Sequence, residues 1–196
     1  MNNTEQTPEL FCPNNREEWR IWLDKNHIAK KSVWLVYYKK KANKGRLTWS
    51  EAVDEALCFG WIDSISKPID DEKYMQFFSK RKPVSTWSKI NKLKIVQLTA
   101  AGLMSAAGME CIATAQQNGS WQILDDVEEL KIPDDLALPL DGHPEAKRYF
   151  SGLSRSVTKA ILQWIVLAKR PETRAKRIAE TLLFAIEGMV PKQFRP

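Results

Sequence analysis

The sequence has few of the residues that build metal centres or disulfide frameworks, with three cysteines and two histidines among 196 residues. The cysteines (Cys12, Cys58 and Cys111) are odd in number, widely spaced and never arranged as CxxC. Both histidines are distant from them in sequence. A zinc site or a set of disulfides is therefore not expected. No motif indicates a cofactor.

Long apolar runs are also missing. The N-terminal residues Met-Asn-Asn-Thr-Glu-Gln-Thr-Pro contain no apolar segment, so we expect no signal peptide. The longest apolar runs are far shorter than the roughly 20 residues that a transmembrane helix needs. These absences predict a cytoplasmic protein without a membrane partner. The sequence does not indicate an oligomeric state.

Tryptophan, by contrast, is abundant. Of the eight tryptophans, six lie before residue 90, which predicts an aromatic core in the N-terminal half. The net charge of +6 is uneven too, because residues 1–100 hold 18 basic against 12 acidic residues and residues 101–196 hold 12 of each. The basic excess lies at residues 39–46 and in Lys80-Arg81-Lys82 together with Lys89, Lys92 and Lys94, and it suits either an anionic partner or a solvated surface.

Capping and periodicity signals predict an α-β-α-β-β order in the first eighty residues. They indicate a helix over 16–26 with Asn14 or Asn15 as its N-cap, a strand over 33–38 covered on both faces, and a helix from the Thr48–Glu51 capping box to Gly60. Strands over 61–66 and 73–78 follow, joined by a turn at 68–71.

Helices alone are predicted after Pro83. Ser85, Ser105 and Ser154 are candidate N-caps, Pro171 begins the last helix, and residues 130–144 are expected to be irregular with at most a short helical turn. The helix after Ser85 is expected to pack Ile90, Leu93 and Val96 on both halves, because no flexible linker separates them. The fold class is α+β, a small antiparallel or mixed sheet with packed helices followed by an all-helical half. The expected domains are residues 1–120 and 121–196.

Two stretches, residues 56–63 and 77–91, mix aromatic, charged and hydroxyl side chains around changes of backbone direction. A buried charge needs a partner, so this mixture is more typical of a polar ligand site against an apolar wall than of a core. Asp63 and Trp61 are neighbours if they share a sheet face, and Arg81 is a candidate partner of Asp63. The sequence leaves open whether that pair is structural or orients a ligand.

Ser85 and the hydroxyls after it are expected at a helix N-terminus, with Arg81 and Lys89 close by. That combination suits a phosphate or carboxylate, although the glycines of a P-loop are missing. Trp87 in the same run either stacks on a ligand ring or packs in the core. The predicted ligand-binding residues, placed at the junction of the two halves, are Trp49, Trp61, Asp63, Arg81, Ser85, Trp87 and Lys89.

Catalysis and nucleic-acid binding are the alternatives. Cys58 lies in the last turn of its helix, where the helix dipole raises the pKa of a thiol, and no histidine is near in sequence to act as a base. An enzyme would use Cys58 or Asp63. Nucleic-acid binding would depend on surface charge alone and would be weak, because an acidic belt between Glu110 and Glu145 opposes it.

Several segments resemble the YdeI/OmpD-associated family. They are Trp19-Arg-Ile-Trp-Leu23, Val33-Trp-Leu-Val36, Glu55-Ala-Leu-Cys-Phe-Gly-Trp-Ile-Asp63, Trp87-Ser-Lys-Ile-Asn91 and Glu172-Thr-Arg174. One departure is Ser79-Lys-Arg81, where the family pattern reads Thr-Pro-Arg. Residues from about 132 to 190 resemble the family's bacteriocin-protection module. The resemblance implies a link to stress or bacteriocin resistance and names no reaction.

Overall fold

The computed structural model describes residues 9–39 and 47–195. They form two compact units, the described part of Met1–Ser85 with Ile90–Trp121, and Thr86–Lys89 with the described part of Gln122–Pro196. The predicted division at residue 120 stays a prediction. Residues 40–46 of the predicted basic run at 39–46 lie outside the described residues.

A mixed sheet organises the first unit. Its strands are β1 (Glu9–Phe11), β2 (Ser32–Tyr38), β3 (Trp61–Pro68) and β4 (Lys73–Lys80). The strand order is β1-β2-β4-β3, with β1 parallel to β2 and both other pairs antiparallel. The α+β fold is confirmed. Strand β1 was not predicted, because three residues are too few to show a strand pattern in the sequence. The β3–β4 register shifts between Asp63 and Ser66, which marks a bulge in an edge strand.

Side-chain caps mark helix starts in the first unit. They are α1 (Arg16–Asn26), α2 (Trp49–Cys58), α3 (Lys89–Ala100), which belongs to this unit from Ile90 onward, and α4 (Ala106–Gln117). Asn15 accepts from the Glu18 N–H at 2.8 Å, and Thr48 forms the predicted capping box with Glu51. Ser105 accepts from the Gly108 N–H, which confirms a third predicted cap.

The central strand β2 has one buried face. Val33, Leu35 and Tyr37 are buried, whereas Trp34 and Tyr38 on the other face are half-buried. The prediction of a strand covered on both faces is therefore wrong. The alternation of buried and exposed positions was not visible in the sequence, because aromatic residues also occupy the open face. These rings shield each other from water, and the Trp34 and Phe77 ring centres, for example, lie 5.0 Å apart.

An aromatic core between α1 and the sheet confirms the prediction from tryptophan content. Trp19 is fully buried, stacks on Trp22 at 5.2 Å and meets the edge of Phe78 at 5.5 Å. Its indole N–H donates to the Ala52 carbonyl at 3.0 Å, so the core also fixes α2. Beside this core, the buried Glu55 carboxylate holds two arginines of α1, Arg16 at 2.5 Å and Arg20 at 2.6 Å.

The exposure of three apolar residues of α3 contradicts a prediction. Ile90, Leu93 and Val96 are 64%, 57% and 65% exposed, so they do not pack on both halves as expected. The helix instead buries Ile95 and Leu98. The Lys94 ammonium fixes this rotation, since it lies 2.5 Å from Asp54 and 2.8 Å from the Ser50 hydroxyl, both on α2.

Helices build the second unit: α5 (Asp125–Glu128), α6 (Asp134–Asp141), α7 (Pro144–Ser151), α8 (Arg155–Val166) and α9 (Pro171–Ile186), with a final 3₁₀ turn at Lys192–Phe194. The Ser154 cap and the Pro171 start are confirmed. Within the described ranges, no helix is long and apolar enough to cross a membrane.

Helix α6 corrects the prediction that residues 130–144 are irregular. Pro133 and Pro139 suggested a broken chain, yet Leu136 and Leu140, one turn apart, are both buried in the core of this unit. Asp135 also forms a two-bond pair with Arg174 of α9, at 2.5 and 2.8 Å. Packing and this pair compensate for the hydrogen bond that Pro139 cannot donate.

Candidate functional site

A cavity of about 270 Å³ opens within the first unit. Four segments enclose it: the end of α1, the corner between α2 and β3, the end of β4, and one face of α4. Its lining residues are His27, Ile28, Phe59, Gly60, Trp61, Lys80, Arg81, Pro83, Ala107, Glu110, Cys111 and Thr114.

The corner between α2 and β3 needs glycine. Gly60 has φ +71°, a left-handed conformation, and its carbonyl accepts from the Arg81 N–H at 2.9 Å. Glycine is needed at Gly108 of α4 as well, because a Cβ added there would lie 2.2 Å from the Cys58 carbonyl oxygen. Ser105 donates to that carbonyl twice, from its N–H at 3.0 Å and from its hydroxyl at 2.7 Å. These contacts hold α4 against the end of α2.

Arg81 gives the cavity a buried positive charge. The residue is 8% exposed, and burial lowers the pKa of its guanidinium to about 10, partly offset by attraction to Cys111 and Asp63. The guanidinium therefore stays protonated at neutral pH. A buried cation in a cavity wall attracts an anionic ligand more strongly than the same charge in water.

Trp61 packs in the cavity wall. Its side chain is fully buried and meets the edge of Trp22 at 5.8 Å. The indole N–H has no acceptor among the residues that the structure describes, and the nitrogen is shielded from solvent. A buried donor without an acceptor costs about 1–3 kcal/mol, which the packing of the ring offsets.

His27 lies at the mouth of the cavity with a defined tautomer. Its Nδ1 is 2.9 Å from the Leu23 carbonyl, which only accepts, so Nδ1 carries the proton. Its ring lies 5.0 Å from Phe59. His27 was not predicted as a site residue, because its position in the sequence indicates a connecting segment.

The structure separates the predicted site residues. Trp61 and Arg81 line the cavity, and Asp63 shares the sheet face of Trp61, as their partners Lys80 and Phe78 on β4 show. The Asp63 carboxylate accepts from Trp49 at 2.9 Å and from the Gln76 amide at 3.1 Å. Trp49 and Asp63 thus form a pair of their own.

Ser85 is not a helix cap, which corrects the prediction. Helix α3 begins at Lys89, and Ser85 lies in a turn where its N–H donates to the Lys82 carbonyl at 2.9 Å. Asn118 and Ser120 both donate to the Pro83 carbonyl and hold this turn out of the helix.

Lys89 and Trp87 belong to the second unit. The N–H of Lys89 donates to the Glu128 carboxylate at 3.2 Å, and its ammonium lies 2.9 Å from Glu129. The protein's own carboxylate therefore occupies the helix N-terminus where sequence analysis expected a bound anion. Trp87 is 2% exposed, in agreement with core packing.

Cys58, the alternative catalytic residue, is fully buried. Burial raises the pKa of its thiol, and a hydrogen bond from Arg20 only partly opposes this. A thiol held protonated is a poor nucleophile. Among the described residues, no cluster of three or more His, Cys, Asp or Glu side chains is arranged to hold a metal ion.

The three thiols are expected to alkylate in a fixed order with iodoacetamide: Cys12 first, Cys111 later, and Cys58 only on unfolding. Cys12 is exposed, whereas burial raises the pKa of Cys111 and shifts its thiolate formation to higher pH. Peptide mass spectrometry over a pH series measures the three rates. Alkylation of native Cys58 as fast as Cys12 would contradict the structure and revive the enzyme alternative.

Sequence analysis missed the contribution of α4. Its cavity residues Ala107, Glu110, Cys111 and Thr114 recur at i, i+3, i+4 and i+7, so one helix face carries small and polar residues. That periodicity was visible in the sequence. Only the fold brings this face opposite Arg81.

Two family models match the chain. One, described as Domain of unknown function (DUF8412), matches residues 11–111, which is more than half of the chain. The chain belongs to this family. The DUF8412 region contains the segments that form most of the cavity.

The second family model is described as Bacteriocin-protection, YdeI or OmpD-Associated and matches residues 129–183. It confirms the resemblance in the C-terminal part only, because the resembling segments before residue 92 lie in or next to the DUF8412 region. In the matched part, Arg174 pairs with Asp135, and the Arg177 guanidinium lies 5.0 Å from the Trp164 ring centre. No curated protein and no solved structure matches the chain.

Proposed function

We propose that the protein is a non-catalytic binding protein for a small anionic molecule, held in the cavity of the first unit. The observation that carries the proposal is the buried guanidinium of Arg81 in the wall of a cavity that aromatic and aliphatic side chains also line. A guanidinium donates hydrogen bonds, and a carboxylate or phosphate oxygen accepts them. The volume of about 270 Å³ suits a metabolite-sized ligand.

The energetics favour an anion over a neutral ligand. Hydrogen bonds from a charged donor are about twice as strong as neutral ones, and together the contacts contribute about 2–4 kcal/mol. Burial lowers the pKa of Arg81. A bound carboxylate would restore part of the solvation that the guanidinium lost, and so raise that pKa again.

Replacing Arg81 tests the proposal. Thermal unfolding is followed with 3-phenylpropionate, benzoate or inorganic phosphate at millimolar concentration. At least one probe is expected to raise the Tm of the wild-type protein and to lose that effect in Arg81→Met, which keeps the apolar stem and removes the charge. Lys82→Met is the matched control, because the adjacent Lys82 is exposed and outside the cavity lining. A Tm shift that survives Arg81→Met would refute this site.

Electrostatic contacts support a small ligand over nucleic acid. Several residues of the predicted basic patch are neutralised or covered within their own unit: Lys94 pairs with Asp54, Lys89 with Glu129, and Lys92 lies 5.2 Å from the Trp121 ring centre. Their field at the surface is reduced accordingly.

The proposal includes a location and a role in the cell. The free thiols, including exposed Cys12, suit a reducing cytoplasm. The name of the family that matches residues 129–183 refers to bacteriocin protection, and we include a role in stress or bacteriocin resistance in the proposal. A strain lacking the protein is expected to regain resistance with the wild-type chain and not with Arg81→Met. If the wild-type chain and Arg81→Met restored resistance equally, ligand binding at Arg81 would not be required for this role.

A further inference from the structure

The cavity carries charges of both signs. Arg81 is buried in its wall, whereas Glu110 lies on the exposed side of α4 and also lines it. The Lys80 ammonium is already used by the protein, since it donates to the Ile28 carbonyl at 2.6 Å. The Glu110 carboxylate forms no hydrogen bond or ion pair with any described residue. It is available to a cationic group of a ligand.

The charges of Arg81 and Glu110 both affect the pKa of the Cys111 thiol. It follows Glu110 on α4, and its pKa is raised by burial, lowered by the Arg81 charge and raised by the Glu110 charge. Arg81 directly follows β4, whereas Glu110 lies on α4. Both residues and Cys111 line the cavity, so a ligand beside Cys111 has a charged side chain of each sign in the surrounding wall.

The remaining walls are apolar. Ile28 and Pro83 contribute aliphatic surface, and Phe59 and Trp61 contribute aromatic rings. Apolar lining with a few polar groups fixes the orientation of a ligand while burying its body. The cavity thus offers a cationic point, an anionic point and an apolar surface between them.

We infer that the ligand is a small zwitterion with an apolar body, as in an α-amino acid with an apolar or aromatic side chain. Its carboxylate is held by Arg81, and its ammonium group by Glu110. This inference rests on the proposed function, because it describes a second group on the same ligand. It also explains why an acidic residue lines a site for an anion.

Three matched probes test the inference by isothermal titration calorimetry: L-phenylalanine, 3-phenylpropionate without the amino group, and 2-phenylethylamine without the carboxylate. L-Phenylalanine is expected to bind about fivefold more tightly than 3-phenylpropionate, the gain of one partly exposed ion pair. 2-Phenylethylamine is expected not to bind. Leucine, 4-methylpentanoate and 3-methylbutylamine form a second set of the same design with a smaller body.

Glu110→Gln isolates the ammonium contact. It is expected to weaken the amino acid about fivefold, to the level of the amine-free acid, and to leave the amine-free acid unweakened. Glu17→Gln, at an exposed position of α1 outside the cavity lining, is the control and is expected to change neither affinity.

The outcomes separate the two proposals. Equal affinities for amino acid and amine-free acid, both lost in Arg81→Met and unchanged in Glu110→Gln, would overturn the zwitterion and leave the anion site standing. Absence of binding by every carboxylate in both sets, or binding that survives Arg81→Met, would overturn the anion site and the zwitterion with it.

Discussion

Trp19→Ala is expected to lower the free energy of unfolding by about 4 kcal/mol, within the range for aromatic-to-alanine changes in cores. The indole is fully buried, touches Trp22 and Phe78, and donates to the Ala52 carbonyl. Alanine removes the ring and leaves a cavity between α1 and the sheet. It also leaves the Ala52 carbonyl without this donor.

Urea unfolding followed by far-UV circular dichroism measures the change, since the substitution removes a fluorophore. Trp49→Ala is the control, because Trp49 is 47% exposed and its expected loss is about 1 kcal/mol, the value of one hydrogen bond. Trp19→Phe fills most of the space without the N–H, so it is expected to cost about 1–2 kcal/mol. A loss from Trp19→Ala no larger than that from Trp49→Ala would contradict the described core.

Gly108→Ala is expected to destabilise the protein by about 2–3 kcal/mol, although alanine favours a helix by about 1 kcal/mol over glycine. A Cβ at this position would lie 2.2 Å from the Cys58 oxygen and 2.8 Å from its carbonyl carbon. Both atoms are backbone, so neither can turn aside. Helix α4 would have to move away and stretch the two bonds from Ser105 to the Cys58 carbonyl.

Gly142→Ala supplies the comparison. Gly142 has φ −74°, and an added Cβ would meet the nearest atom, the Pro139 oxygen, at 3.5 Å. Its expected change in unfolding free energy is within about 0.5 kcal/mol, as at an unstrained surface position. Thermal unfolding of both variants measures the difference. Equal stabilities would show that α4 does not press on the end of α2.

Local signals in the sequence predicted helix starts well. Asn15, Thr48, Ser105 and Ser154 each cap a helix with a bond to a backbone N–H three residues ahead. Such a bond involves one short segment, so the segment alone determines it. The turn and strands around residues 61–80 were predicted for the same reason.

The predictions failed where contacts with residues distant in the chain determine the local structure. Ser85 has the chemistry of a cap, but Asn118 and Ser120 hold its turn, more than thirty residues away in the chain. The exposed positions of α3 and the buried leucines of α6 likewise depend on contacts outside their own segments. A single sequence shows the periodicity of a helix, but it does not show which face of that helix another element covers.

The candidate site was predicted in part. Arg81 and Trp61 were selected because a charge and an aromatic ring near a chain reversal need an explanation, and both line the cavity. Glu110 and Cys111 were missed because α4 reads as an ordinary helix. Trp87 and Lys89 were included because they follow Arg81 closely in sequence, yet they lie in the second unit.

The interrupted edge strand β3 has a consequence for self-association. A strand with one neighbour offers its outer N–H and C=O groups to other chains, and long regular edges are where sheets of separate molecules join. Here the bulge between Asp63 and Ser66 breaks that row, and Lys67 and Pro68 follow it. The opposite edge, β1, spans three of the described residues. Within the part of the chain that the structure describes, neither border of the sheet therefore offers a template for strand-by-strand polymerisation into fibres.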